Sequence, residues 1–337
     1  MAERILIVAP SWVGDAILSE PLLAVLREPF AVPVIDVLAP SWCAPVYARM
    51  RGVGEVIESP FAHGELALGR RRALAADLRR RGYTWAFVLP NSFKSALIPW
   101  LARIPRRVGY AGEARGALLT DARRLDHKAL PRLADRFVAL AVPRGRLVPT
   151  PPAPVLVPDV ANAGAAVRAL GLSTRRPVAI LCPGAEYGPA KRWPTEHFIA
   201  LAQRFLEQGL AVWLLGSPND RPSAKPIAEA LEDVRDLAGA TDIGTAIDLL
   251  SLASVVVSND SGLMHAAAAV GRPLVALFGS SSPQYTPPLS PVARVARIDI
   301  ACSPCFQREC PLGHFKCMRE LLADDVYRLA LDAAATR

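Results

Sequence analysis

The sequence predicts an α/β protein made of two doubly wound, Rossmann-like domains. Short apolar runs alternate with helix-length amphipathic segments, the pattern of parallel strands joined by crossover helices. Most of these runs are continuous rather than alternating, as strands covered on both faces require. Near the midpoint of the 337 residues, six prolines (143, 149, 151, 152, 154 and 158) fall within residues 143–158. No helix interior or central strand accepts such a stretch, so it reads as a semi-rigid connector. The expected division is a domain at 1–150 and another at 151–337, with a cleft between them.

In chain order, the first half holds expected strands at 4–9, 34–39 and 86–89, with helices at 17–27 and 68–80. The second half holds strands at 178–182, 211–215, 255–258 and 274–278, with helices at 196–208 and 246–252. No repeat of 20–50 residues is present, which argues against a solenoid. Open parallel sheets bind ligands at the carboxyl ends of their strands, so the loops that follow these strands are the places to look for chemistry.

Composition narrows the class. With 52% hydrophobic and 21% charged residues the chain is not disordered. No apolar run reaches about 18 residues, the length of a membrane-spanning helix. The first apolar run is too short for a signal peptide, so the expected compartment is the cytoplasm, and six cysteines fit a reducing one. The net charge of +8 is unevenly placed: residues 1–150 carry 22 basic and 13 acidic side chains, the remainder 17 and 18. A uniformly basic nucleic-acid coat does not fit that distribution. The motifs G-x-G-x-x-G, G-x-x-x-x-G-K-[ST], G-x-S-x-G and D-x-D are absent from the sequence. A phosphate site here would rest on backbone N–H groups, helix dipoles and cationic side chains.

Five loops carry the candidate chemistry. After the first strand, Ser11-Trp12-Val13-Gly14-Asp15 places a carboxylate at a helix start, as a cap or as a general base. After the third, Pro90-Asn91-Ser92-Phe93-Lys94 offers polar groups for an acceptor, or a helix cap. Pro183-Gly184-Ala185-Glu186 runs on to Lys191-Arg192-Trp193, where two cations could neutralise a diphosphate and Trp193 could pack the loop or stack on a base. Asn259-Asp260-Ser261-Gly262 leads a helix that contains His265, and its polar groups exceed what capping needs. Cys302-x2-Cys305-x4-Cys310-x6-Cys317, with His314 inside, could hold zinc structurally, but it matches none of the common finger or ribbon spacings and offers no open catalytic position. His63 is a lone loop histidine. The arginine runs 70–72 and 79–81, with Arg103, Arg106, Arg107, Arg115, Arg123, Arg124 and Lys128, read as solvated helix faces or as a surface for an anionic membrane or a phosphorylated substrate.

Several of these blocks, in order between residues 4 and about 300, resemble the ADP-heptose:lipopolysaccharide heptosyltransferase II group of glycosyltransferase family 9. They are Ser11–Asp15, the stretch 89–97, Cys182-Pro183-Gly184-Ala185-Glu186, residues 188–194 and 259–265, and Ser281-Ser282-Pro283 with Thr286-Pro287-Pro288-Leu289. The resemblance implies a GT-B fold, with a lipid-linked acceptor on the first domain and ADP-heptose on the second. It implies addition of a second heptose to the first heptose of the lipopolysaccharide inner core, with inversion and without a cofactor or catalytic metal. Asp15 maps to the family's base and Lys191 to its diphosphate-binding lysine. Asp260, Ser261, Gly262 and His265 map to the sugar- and phosphate-contacting turn. Gly184, Ala185, Glu186 and Arg192 join the donor set, with adenosine contacts near Ser217, Asp220 and Thr241. The acceptor set is Ser11, Trp12, Asn91, Ser92 and Lys94. The implied location is the cytoplasmic face of an anionic inner membrane, in peripheral contact. The cysteine segment departs from the family pattern. Heptosyltransferase I, or another transferase of the family, is the neighbouring reading. A non-catalytic sugar-nucleotide-binding or membrane-surface scaffold is the reading from another class.

Overall fold

A computed structural model describes residues 3–27, 33–61 and 65–336; His63 lies outside them. By internal contacts the chain divides into Met1–Pro152 and Ala153–Arg337, inside the proline-rich segment.

The first unit is a six-stranded parallel sheet. Its strands are β1 (Arg4–Val8), β2 (Val34–Pro40), β3 (Val53–Ser59), β4 (Trp85–Val88), β5 (Arg106–Tyr110) and β6 (Asp121–Arg123), in the order β3-β2-β1-β4-β5-β6. The second unit has β7 (Val178–Cys182), β8 (Ala211–Leu214), β9 (Val234–Asp236), β10 (Val255–Asn259), β11 (Leu274–Leu277) and β12 (Ala293–Ala296), in the order β12-β11-β10-β7-β8-β9. Every pairing among these strands is parallel. Counted from its own first strand, each unit therefore has the Rossmann order 3-2-1-4-5-6. The chain switches direction across the sheet between β1 and β4 in one unit, and between β7 and β10 in the other. Crevices at such switch points are where doubly wound sheets bind ligands.

The central strands are those whose sequences are continuously apolar. β7, β8, β10 and β11 are buried at every residue. Four of the five strands missing from the sequence reading have a common physical reason. β3, β6, β9 and β12 are sheet edges, short or half-exposed, and carry charges on an open face. β5 begins with Arg106-Arg107 and buries only Val108, Gly109 and Tyr110.

The helix expected at 17–27 is two helices, Val13–Leu18 and Glu20–Arg27, broken at Ser19. Pro21 has no N–H to continue the first helix and starts the second comfortably. The helix Leu68–Arg80 forms as expected, but its buried face is Arg71, Ala75 and Leu78. Arg71 is therefore not a solvated charge. Its guanidinium lies 4.0 Å from the centre of the Phe61 ring and donates to the Leu66 and Glu65 carbonyls at 2.6 and 3.0 Å.

Candidate functional site

The crevice of the second unit is assembled by loops that follow neighbouring strands. Asn259, at the end of β10 and fully buried, reaches to the loop after β7. Its amide nitrogen donates to Pro183 O at 2.8 Å, and its oxygen accepts from the Trp193 N–H at 3.1 Å. Asn259 thus fixes the separation of the two loops, a role that its place in a capping-rich turn did not reveal. Asp260, 6% exposed, accepts from Lys191 Nζ and from Ser281 Oγ, both at 2.5 Å on Oδ2. Lys191 also stands 5.0 Å from the centre of the Tyr187 ring. The cation is thereby fixed at the switch point by a buried carboxylate.

Ser261 is the N-cap of the helix Gly262–Ala269 but makes no side-chain cap bond; its hydroxyl meets Ser258 Oγ at 3.3 Å. The leading N–H groups of that helix point out of the carboxyl edge, as an anion site requires. His265, one turn in, is buried, and burial pushes its pKa down to about 4 against the opposing pull of Asp260. It is neutral at physiological pH.

The next loop supplies a second polar cluster. Asp220 Oδ2 accepts from the backbone N–H and hydroxyl of Ser217, at 2.9 and 2.8 Å, closing a capping box after β8. A side chain on Gly184 would put its Cβ 2.1 Å from the Asp220 carboxylate, so only glycine lets the two loops approach. Gly184 and Ala185 are buried beneath this contact, and Glu186 is exposed, accepting from Asn219 Nδ2 at 3.2 Å. Arg192 donates to Ala185 O at 3.4 Å. Four buried polar atoms on these carboxyl-edge loops have no partner: Arg192 Nε, Asp220 Oδ1, Thr241 Oγ1 and Ser280 Oγ. Buried groups left unpaired cost about 1–3 kcal/mol each, which a polar ligand would recover.

Trp193 does not offer its face to a base. It is buried, donates to Leu321 O at 2.8 Å, and packs against His197 and Phe198. Of its two readings, loop packing is the one the structure adopts.

In the first unit the β1–β4 switch brings together the loops of Asp15 and Asn91. Trp12 is the N-cap of the helix Val13–Leu18 and makes no side-chain cap bond; Asp15 is in the first turn. Asp15 is half-buried and is not the N-cap. Its charge is felt by Cys43, whose thiol is pushed up to about 12, first by burial and then by Asp15. Ser11 O accepts from Trp42 Nε1 at 2.8 Å and from the Cys43 thiol at 3.5 Å. Trp12 and Trp42 are 50% and 46% exposed.

In the β4 loop, Ser92 is the cap of the helix Phe93–Leu101, accepting from Ser95 N at 3.3 Å. Asn91 Oδ1 accepts from Arg115 Nη2 at 3.1 Å, and the Lys94 carbonyl accepts from Arg71 at 3.3 Å. Arg115, counted from sequence among solvated cations, is 0% exposed. It donates to Tyr110 O at 2.7 Å, to Pro90 O and to Ser95 Oγ, and so holds the loop that presents Asn91 and Lys94. Burial draws its pKa down to about 10, which leaves it charged at neutral pH.

These site residues lie within a chain whose relatives are recognisable. A family model described as glycosyltransferase family 9 (heptosyltransferase) matches residues 71–316. The chain is 46% identical over 306 residues to lipopolysaccharide heptosyltransferase 2 of Salmonella typhimurium, covering 88% of each. It is 45% identical over 308 residues to lipooligosaccharide heptosyltransferase 2 of Haemophilus influenzae, again covering 88% of each. Among solved structures it matches ADP-heptose lipopolysaccharide heptosyltransferase II of E. coli with a TM-score of 0.88 and 39% identity over 99% of both chains. A family 9 transferase from Veillonella parvula, 21% identical with a TM-score of 0.85 over 99% and 98% of the two chains, shares the fold. With two Rossmann units of the GT-B type and this degree of likeness, the chain belongs to glycosyltransferase family 9, the heptosyltransferases.

Proposed function

We propose that the enzyme transfers heptose from ADP-heptose to the first heptose of the lipopolysaccharide inner core, with inversion at the anomeric carbon. The observation that carries this reading is the fixed Lys191–Asp260–Ser281 cluster at the β7–β10 switch, beside an open helix N-terminus and buried polar atoms that lack partners. A nucleoside diphosphate sugar suits such a crevice. Its diphosphate meets Lys191 and the Gly262 amides, and its ribose and base meet the polar set around Ser217, Asp220 and Thr241. Names of relatives at 45–46% identity support heptose as the sugar and the lipopolysaccharide core as the acceptor.

In this mechanism Asp15 takes the proton from the acceptor hydroxyl as that oxygen attacks the anomeric carbon. The C–O bond to the diphosphate breaks, and Lys191 with the helix N-terminus stabilises the charge gathering on departing ADP. Neutral His265 donates or accepts a hydrogen bond without adding charge. The acceptor rests on the Ser11–Trp12 and Asn91–Lys94 loops. No helix among the described residues is long and apolar enough to cross a membrane. The proposed membrane contact is peripheral, through basic and aromatic surface of the first unit on the cytoplasmic face, and no nucleic-acid partner is proposed.

The test is an assay of ADP-heptose with core acceptors bearing no heptose or one heptose. Product is expected from the acceptor with one heptose. Transfer only to the heptose-free acceptor would overturn the choice of acceptor.

A further inference from the structure

We infer that Cys302, Cys305, Cys310 and Cys317 form a structural site for one thiophilic transition-metal ion, zinc or ferrous iron. The four thiols and His314 line one cavity of about 10 Å³, room for a single water-sized sphere and hence for one ion. All four cysteines are free thiols, partly buried. The amides that follow Cys310 turn back on its sulfur, with the Phe315 N–H at 3.4 Å. Such amide donors offset the negative charge that a thiolate ligand keeps after binding. His314 is occupied elsewhere, its Nδ1 accepting from the Lys316 N–H at 3.0 Å, which leaves four sulfurs as the ligand set. Four thiolates close a tetrahedral shell and leave no position for substrate, so the ion is structural.

The segment needs a staple. Residues 297–315 contain neither helix nor strand, and Phe306 and Phe315 adopt left-handed backbone at φ 56° and 49°. Yet this segment holds the donor loops. Arg308 O accepts from Ala190 N at 3.0 Å, Phe306 O accepts from the Tyr187 hydroxyl at 2.8 Å, and the Phe306 N–H donates to Ser280 O at 2.6 Å. A side chain on Gly188 would meet Arg308 O at 2.5 Å, so the contact with the Lys191 loop is close. The 302–317 segment thus packs directly against the loop that carries Lys191. Among the described residues no three His, Cys, Asp or Glu side chains are already set in a metal-holding arrangement. The proposed site therefore requires the four thiols, which already line the cavity, to turn inward when the ion binds.

The test uses the full chain, purified anaerobically without chelator. Elemental analysis is expected to find one zinc or iron per chain. Exchange with Co²⁺ is expected to give the thiolate-to-cobalt charge-transfer band and visible bands of a tetrahedral site. Cys310→Ser and Cys317→Ser should lose the ion, while His314→Ala should retain it. Absence of metal together with no cobalt–thiolate band from the wild-type chain overturns the site, whether or not the variants fold. Retention in both serine variants with loss in His314→Ala overturns the ligand set. These readouts are independent of heptose transfer and stand or fall apart from the proposed reaction.

Discussion

In the second unit the crevice between β7 and β10 is lined by side chains that hold one another. Lys191 is locked on Asp260, Asp260 on Ser281, and Asn259 ties the two loops together. In the first unit the crevice between β1 and β4 has the same strand order but a different lining. Trp12, Trp42 and Phe93 stand 50%, 46% and 38% exposed around it. Its buried order lies one layer back, in Arg115 beneath the Asn91 loop. The same topology thus yields a preorganised polar site and an open, partly aromatic one. Fixed charges suit a small anionic ligand, because no reorganisation is needed as charge develops. Exposed aromatics suit a large amphiphilic partner.

The sharpest way to break this contrast is Asp15→Ala. Turnover is expected to fall by about 100-fold or more, with ADP binding by calorimetry unchanged. Near-normal turnover would remove Asp15 as the base. Lys191→Ala should cost roughly 10–100-fold in kcat/KM, the worth of one charge-assisted hydrogen bond, and should weaken ADP binding in parallel. Loss of turnover with ADP affinity intact would move Lys191 out of the diphosphate site.

His265 gives the polar crevice a pH signature. Its folded pKa of about 4 lies below the ordinary 6.5, so the unfolded chain binds the proton more readily between those values. Stability is complete above pH 6.5 and declines as pH falls toward 4, by on the order of 3 kcal/mol. His265→Gln should flatten that part of a denaturation-versus-pH curve; an unchanged slope would assign it to other groups. In the first unit, Arg115→Met should lower stability by about 1–3 kcal/mol, since the Pro90 and Tyr110 carbonyls lose their donor. It should raise KM for the acceptor more than for ADP-heptose; an equal rise would separate Arg115 from the acceptor loop. The smallest effect is expected from reversing charge at Arg79, Arg80 and Arg81. Arg80 is paired with Asp77 and Arg81 with Glu55, and Arg79 caps the Leu101 carbonyl. Sedimentation with anionic vesicles should weaken by about fivefold for each of the three arginines that meets the surface. No change at all would remove the patch from membrane contact.

Those pairings also revise the meaning of the charge asymmetry. The excess of +9 over residues 1–150 is a count of side chains, and several of them are structural. Arg71 and Arg115 are buried, Arg123 and Arg144 share Asp121, and Arg132 closes on Asp135. Composition cannot separate a guanidinium that caps carbonyls from one that faces solvent.

The sequence alone determined the α/β class and the loops that carry polar groups. Continuous apolar runs are diagnostic of strands buried on both faces, and proline rules out regular structure between the halves. Local residue type also made Lys191, Asp260 and Asp15 visible as candidates. Only the tertiary structure decided which loops are neighbours. Strand order is a long-range property, so nothing local in Asn259 says that it will bond to Pro183. Edge strands stayed hidden because an open face tolerates charge, and Arg115 stayed hidden because burial of a cation depends on carbonyls brought to it from elsewhere in the unit.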